Sequence, residues 1–220
     1  MSTIQKAYII RISSELSREY ANIAAKSCEA LDIPYEFFDG IEDKNMKDAW
    51  EGYRISRTNF ITDRSACASA SHAKLWRQIY DRKECAIILE HDAIMLHRVL
   101  LDIPDNMIVT LGFKVRNPEK YNHLKAGSST NIIKINEHHG AHAYAITCQT
   151  AKLLLDELET VGVQGDIDNV YFMKNRRTRI PLGLIDPISA LGWVRQSTIW
   201  DEAAELNYFF TPSFKNNFNK

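Results

Sequence analysis

Glu90 and Asp92, one residue apart, close the short apolar run Cys85-Ala86-Ile87-Ile88-Leu89, and their type and spacing offer the clearest chemistry in this chain of 220 residues. If the extended run continues to Asp92, residues 90 and 92 point to one side and His91 to the other, so two carboxylates converge on one point. Two like charges brought together out of water are costly unless a cation or protons intervene. A divalent ion that prefers oxygen, Mg2+ or Mn2+, meets that need, above all when a substrate diphosphate completes its shell. An acidic strand end opening a solvated turn is the plainer reading of the same residues.

A second acidic pair, Asp166-Ile167-Asp168, follows Gly165 and precedes Asn169-Val170-Tyr171-Phe172. It reads either as the cap of a short helix or as the source of a general base, which must reach the proton it removes. His138, His139 and His142 lie in HHGAH, which lacks the Glu of the H-E-x-x-H zinc signature and carries a Gly that disfavours a helix. Most such histidines are simply surface or hydrogen-bonded imidazoles; His142, two residues before Tyr144, is the one expected to face a site. His72 shares a helix face with Leu75 and Trp76, as a satisfied core imidazole or as a ligand contact. The basic run Lys174-Asn175-Arg176-Arg177-Thr178-Arg179 is an exposed face or a phosphate contact. The chain has no G-x-x-x-x-G-K-[ST], G-x-G-x-x-G or G-x-S-x-G, so P-loop, dinucleotide and serine-hydrolase chemistries lose their usual support.

These residues need elements to hold them. Residues 7–12 (AYIIRI) predict a strand, with Ser13 or Ser14 as N-cap of a helix whose buried stripe is Leu16, Tyr20, Ile23, Ala24, Ser27 and Leu31, ended by Pro34. Tyr35–Phe38 is a second strand, and the β-α-β unit requires a parallel pair. Residues 41–64 read as loop plus one short helix, and Ser65–Tyr80 as a helix closed by residues 81–84. The run 85–89 is apolar on both faces, as a strand buried between helix layers should be. Residues 107–113 (MIVTLGF) and 141–147 (AHAYAIT) are further strands, with polar, loop-like sequence between them, including Gly127–Asn131. Thr147 or Thr150 caps a helix through Glu159 that Gly162 stops. Short apolar pieces at 171–173 and 183–185 follow, then a tail at about 195–220 carrying Phe209, Phe210, Phe214 and Phe218.

Composition narrows the class. The chain is 45% hydrophobic and 25% charged, which argues against disorder or a disulfide-knit mini-protein. Twenty-seven Lys and Arg against 28 Asp and Glu give a net charge of -1, so no global basic field draws it to nucleic acid or anionic lipid. Cys28, Cys67, Cys85 and Cys148 are widely spread, without a C-x-x-C pair, which suits a reducing compartment. No apolar stretch approaches the roughly eighteen residues of a membrane span. The expectation is one domain over 1–220, cytoplasmic or peripheral to the inner membrane.

The order of segments resembles glycosyltransferase family 25, the lipopolysaccharide-type galactosyltransferases and their collagen-modifying relatives. It is carried by YEFFDGI, SACASASHAKLW, AIILEHDA, GAHAYAITCQTAKLLLDEL and the D-x-x-Y-F element, over roughly residues 5–190. The most specific parts are Ser71-His72-x-x-Leu75-Trp76 followed by Ile88-Leu89-Glu90-x-Asp92, and the stretch from Ala143 to Leu154. The resemblance implies an α/β fold of GT-A type: a nucleotide-sugar-binding α/β/α sandwich with a mostly parallel central sheet. It also implies an inverting, metal-dependent transfer from a nucleoside-diphosphate sugar to a hydroxyl.

By the same resemblance Glu90 and Asp92 stand in the family's acidic signature, with Mn2+ or Mg2+ held by Asp92, Glu90 and His142. Glu90, His91, Asp92 and His72 would line the donor site, and Asp168 would activate the acceptor hydroxyl, with Asp166 its alternative. His91 departs from the usual Asp, and Asp63-Arg64-Ser65-Ala66-Cys67 replaces the family's E-x-G-C. Trp50, Tyr53 or Trp76 would stack on the donor or fill the core. A lipopolysaccharide or other surface glycan, lipid-linked or free, is the implied acceptor, and a hydroxylated DNA base the alternative. A non-catalytic sugar-nucleotide-binding module and a metal-dependent phosphohydrolase are the readings from other classes.

Overall fold

In the computed structural model, which describes residues 2–42, 63–115, 131–138, 140–162, 165–172 and 178–193, the first strand is β1 (Lys6–Arg11). Its Ala7 and Ile9 face one side and Tyr8 and Ile10 the other, and all four are buried, which places β1 in the interior of a sheet. Helix α1 (Glu15–Glu29) begins where the Ser14 hydroxyl accepts the Ser17 N–H. It ends at Glu29, earlier than Pro34 alone suggests, because the chain turns through Asp32 at φ 51 and the Ile33 N–H bonds back to Cys28. Strand β2 (Tyr35–Asp39) then lies parallel to β1.

Helix α2 (Asp63–Arg82) precedes β3 (Cys85–Glu90), β4 (Ala93–Met95), β5 (Ile108–Thr110), β6 (Gly112–Val115) and β7 (Asn131–Ile135). Strand β8 (Ala143–Thr147) leads directly into α3 (Cys148–Val161), where the Thr147 hydroxyl accepts the Thr150 N–H and Gly162, at φ 81, ends the helix. A π-helical turn (Asp168–Phe172), β9 (Leu182–Asp186) and β10 (Ala190–Trp193) complete the order.

The large sheet runs β2-β1-β3-β8-β5-β9-β7. Strands β2, β1, β3, β5 and β9 share one direction, while β8 and β7 oppose it. Alternation divides the core. Tyr8, Ile10, Ala86, Ile88, Tyr144 and Ile146 pack under α2 and α3. Ala7, Ile9, Ile87, Leu89, Ala143 and Ala145 pack against the small-residue stripe Ala21, Ala24, Ala25 and Cys28 of α1. The result is an α/β/α sandwich with a mostly parallel central sheet.

Two features differ from the sequence reading. The single strand expected at 107–113 is divided at Leu111, whose carbonyl accepts the N–H groups of both Ser189 and Ala190. There the chain leaves the large sheet for a small one of order β4-β10-β6. Strand β7 lies in sequence expected to be loop; it is an edge strand with Asn131, Ile133 and Lys134 exposed, so it shows little of the apolar signal of a buried strand. Residues 43–62 with Trp50 and Tyr53, residues 127–130, His139, Lys174–Arg177 and the tail at 195–220 lie outside the described residues.

Candidate active site

Helix α2 turns Ser69, His72 and Trp76 toward the sheet, a spacing of three and four residues that places them on one face. All three are buried. The Trp76 Nε1–H donates to the Tyr144 hydroxyl at 2.8 Å, and the same hydroxyl lies 2.8 Å from His72 Nδ1. The other ring nitrogen, His72 Nε2, faces Glu90 Oε1 at 3.5 Å. Register explains the meeting: Tyr144 pairs with Ile88, and Glu90, two residues on, continues the face of Ala86 and Ile88 that packs under α2. Glu90 ends β3 with its N–H on the His142 carbonyl and its side chain about a quarter exposed.

A carboxylate opposite Nε2 favours an N–H there, and with that tautomer Nδ1 accepts the Tyr144 O–H while the tyrosine oxygen accepts from Trp76. Leaving any of these buried groups unpaired costs about 1–3 kcal/mol, so each side chain needs the next. Burial holds the Tyr144 phenol well above its ordinary pKa, and the nearby Glu90, Tyr171 and Asp168 add to this. Tyr144 is therefore a neutral donor, and it lies within electrostatic reach of both Glu90 and Asp168.

Asp168 opens the π-helical turn, and its Oδ1 accepts the Ala141 N–H at 2.8 Å, which orients a half-buried carboxylate. Asp166 is 7% exposed. Its Oδ2 accepts from the Asn169 amide at 3.3 Å, while its Oδ1 is buried with no hydrogen-bond partner among the described residues. Ile167 is tied to α2 by its N–H on the Ser69 hydroxyl at 2.9 Å. One helix face thus holds both the Glu90 end of β3 and the Asp166–Asp168 segment.

The strand stops at Glu90, and His91 and Asp92 form a turn, so the alternation argued for residues 90 and 92 does not extend to Asp92. His91 stacks on Tyr20 of α1, with ring centroids 6.1 Å apart, on the side of the sheet away from His72. Asp92 is half-buried, with Oδ1 shielded from solvent. His142 is completely buried, stacked on His138 at 5.5 Å and pressed by Gly192, where a Cβ would fall 2.6 Å from the imidazole carbons. His138 itself is used structurally, its ring nitrogens lying 3.0 Å from the Gly140 carbonyl and 2.6 Å from that of Gly112.

Among the described residues no group of three or more His, Cys, Asp or Glu side chains is arranged to hold a metal ion. The expected three-ligand set of Asp92, Glu90 and His142 is therefore not assembled, because a turn replaces extended strand and the imidazole is sealed in the core. Glu90 at the end of β3 and Asp92 in the turn after it are the carboxylates that would hold a hard cation bringing oxygen ligands of its own, as a metal–diphosphate does.

Trp76 is 1% exposed and meets Tyr171 edge to face at 5.1 Å, so it belongs to the core and not to a stacking platform. Of the basic run, Thr178 is buried with its hydroxyl on Glu157 and Arg179 is exposed. The four cysteines are free thiols, and burial pushes those of Cys28 and Cys85 up to about 12, which leaves neither as a nucleophile at neutral pH. Tyr144 was not among the residues expected at the site. Its signal was a hydroxyl in the middle of the strand Ala143–Thr147, which is buried throughout, without the capping role that accounts for Thr147.

The profile of glycosyltransferase family 25 (LPS biosynthesis protein) matches residues 4–170, from the start of β1 through Asp168. No curated protein matches the chain. Among solved structures, the chain is similar to the galactosyltransferase LgtC in complex with donor and acceptor sugar analogues, at 13% identity over 96% of this chain and 95% of that one, with a TM-score of 0.44. It is also similar to the glycosyltransferase GlyE of Streptococcus pneumoniae TIGR4, at 10% identity over 97% and 64% of the two chains and a TM-score of 0.43. A third is a glycosyltransferase involved in glycosylation of the major capsid of PBCV-1, at 8% identity over 87% and 95% and a TM-score of 0.41.

Proposed function

The chain belongs to glycosyltransferase family 25, and on that premise we propose that it moves a sugar from a nucleoside-diphosphate donor to a hydroxyl of a lipopolysaccharide-type surface glycan, with inversion at the anomeric carbon. The observation that carries the reading is that one face of α2 holds two carboxylate-bearing segments, the Glu90 end of β3 through His72 and the Asp166–Asp168 turn after α3 through Ser69, with Asp168 oriented by the Ala141 N–H. Such a pair divides the work. Asp168, held by the Ala141 N–H, takes the proton from the acceptor hydroxyl. The oxygen's electron pair forms the new bond to the anomeric carbon as the bond to the diphosphate breaks, and a single displacement inverts that centre.

Glu90 and Asp92 are the residues proposed to hold Mn2+ or Mg2+ together with the donor's diphosphate. When bound, the ion neutralises charge on the departing group. His72 steadies Glu90 from the core side, while His91 faces α1. No helix among the described residues is long and apolar enough to cross a membrane, and the proposed place of action is the cytoplasmic side, where a lipid-linked acceptor is reached at the membrane surface.

The test is a panel of nucleoside-diphosphate sugars, each incubated with and without a lipooligosaccharide acceptor, followed by release of nucleoside diphosphate and by the anomeric proton coupling of the product. Release that requires the acceptor, with a product of opposite anomeric configuration to the donor, is the expected result. Equal release without acceptor would make the protein a hydrolase, and a retained configuration would remove the single displacement.

A further inference from the structure

Three side chains with polar groups, His72, Trp76 and Tyr144, sit at 1%, 1% and 0% exposure in or against a core built mainly of aliphatic and aromatic side chains. Apolar side chains of similar size would fill that volume without polar groups to satisfy. Hydrogen bonds instead join Trp76 Nε1–H to Tyr144 Oη and Tyr144 Oη to His72 Nδ1, and His72 Nε2 faces Glu90 Oε1 at 3.5 Å. Of the four members only Glu90 reaches solvent. The aromatic rings are locked as well: Tyr144 is stacked on His72 at 5.7 Å and edge-on to Phe172 at 5.3 Å, and Trp76 is edge-on to Tyr171.

We propose that the buried Trp76–Tyr144–His72 chain is a positioning device for Glu90: it fixes His72 as the Nε2–H tautomer so that one carboxylate oxygen is held from the core side and the other is presented to the metal–diphosphate. Tyr144 and Trp76 touch no substrate; they act through His72. The inference rests on the proposed role of Glu90 in donor binding. Residues that orient a ligating carboxylate in this way alter metal affinity about 10–100-fold when removed.

The experiment uses Tyr144→Phe, which keeps the ring and its aromatic contacts and deletes one hydroxyl. Its first readout is the ring nitrogen NMR spectrum of His72 in the 15N-histidine-labelled full chain, assigned by His72→Gln. The second is calorimetric affinity for uridine, guanosine and cytidine diphosphates in the presence of Mn2+. The wild type is expected to show the Nε2–H tautomer, and Tyr144→Phe a mixed one with a loss of about 10–100-fold in Mn2+-dependent affinity. In a Glu90→Gln background, Tyr144→Phe is expected to add no further loss, since the two act in series.

An Nδ1–H tautomer in the wild type, or an affinity unchanged by Tyr144→Phe, overturns the positioning role while leaving donor binding at Glu90 intact. Additive losses in the double variant likewise overturn it, since a merely structural hydroxyl gives that result. A wild type that binds none of the diphosphates with Mn2+ brings down the donor-site reading, and the positioning role with it. Should Tyr144→Phe not fold, Trp76→Phe removes the bond that orients the tyrosine oxygen and is judged by the same two readouts.

Discussion

Asp168→Asn is expected to lower turnover by about 10^2 to 10^4-fold, the usual contribution of a positioned general base, while leaving affinity for the donor's diphosphate unchanged. The substitution is nearly isosteric. An asparagine Oδ1 still accepts the Ala141 N–H that orients the native carboxylate at 2.8 Å, so the local structure is kept and only the ability to take a proton is lost. Glu90 stands on a different element, the end of β3, and the donor half of the site should not register the change. The measurement is kcat and the donor affinity determined separately. A variant with native kcat would remove Asp168 from the reaction and direct attention to Asp166, whose Oδ1 is buried without a hydrogen-bond partner among the described residues.

The second large effect is structural. A Cβ at Gly112 would lie 1.7 Å from the Ala190 carbonyl oxygen and 2.8 Å from its carbon. Those are backbone atoms of the parallel pair β6 and β10, in which Gly112 is registered directly against Ala190. A flexible side chain could swing aside; a paired main chain cannot, so Gly112→Ala must part the two strands or shift the crossing at Leu111. Overpacking usually costs about 1–3 kcal/mol, and a clash with main chain belongs at or above the upper end of that range. For a chain of this size that is a fall of at least about 6 °C in Tm, or failure to accumulate as folded protein. The loss should reach the end of β3, because β10 also presents Gly192 to His142, whose carbonyl accepts the Glu90 N–H. A Tm within a degree of wild type would mean that the β6–β10 contact is looser than described.

Much of this arrangement was legible in the sequence because its signals are local. Ser14, Thr147 and Gly162 punctuate α1 and α3 with side-chain or φ preferences that act within a few residues. CAIIL, apolar at every position, could only be a strand covered on both faces. Long-range features were less visible. Nothing in MIVTLGF marks Leu111 as the point where the chain changes sheets, since the cause is the approach of Ser189 and Ala190 from far along the sequence. Strand β7 escaped notice because an edge strand does not need two apolar faces.

At the site, Glu90 does close a strand, but the extended geometry assumed for Asp92 gives way to a turn at His91–Asp92. His142 has the composition of a ligand and the burial of a core residue. Whether His72 serves the core or the site proved a false choice, since its two nitrogens face Tyr144 on one side and Glu90 on the other. Only the register of β3 against β8, which no local pattern encodes, brings those partners together.

Glu90 and Asp92 are proposed to bind a nucleoside diphosphate through a shared divalent ion. Calorimetric titration of nucleoside-diphosphate sugars into the wild-type chain, in Mn2+ and again after chelation, addresses this without an acceptor or a known linkage. One donor should bind in Mn2+ and lose at least about tenfold in affinity, or 1.4 kcal/mol, on chelation, and Glu90→Ala and Asp92→Ala should each abolish that metal-dependent gain. Binding of equal strength with and without metal, or unchanged in both variants, would contradict it.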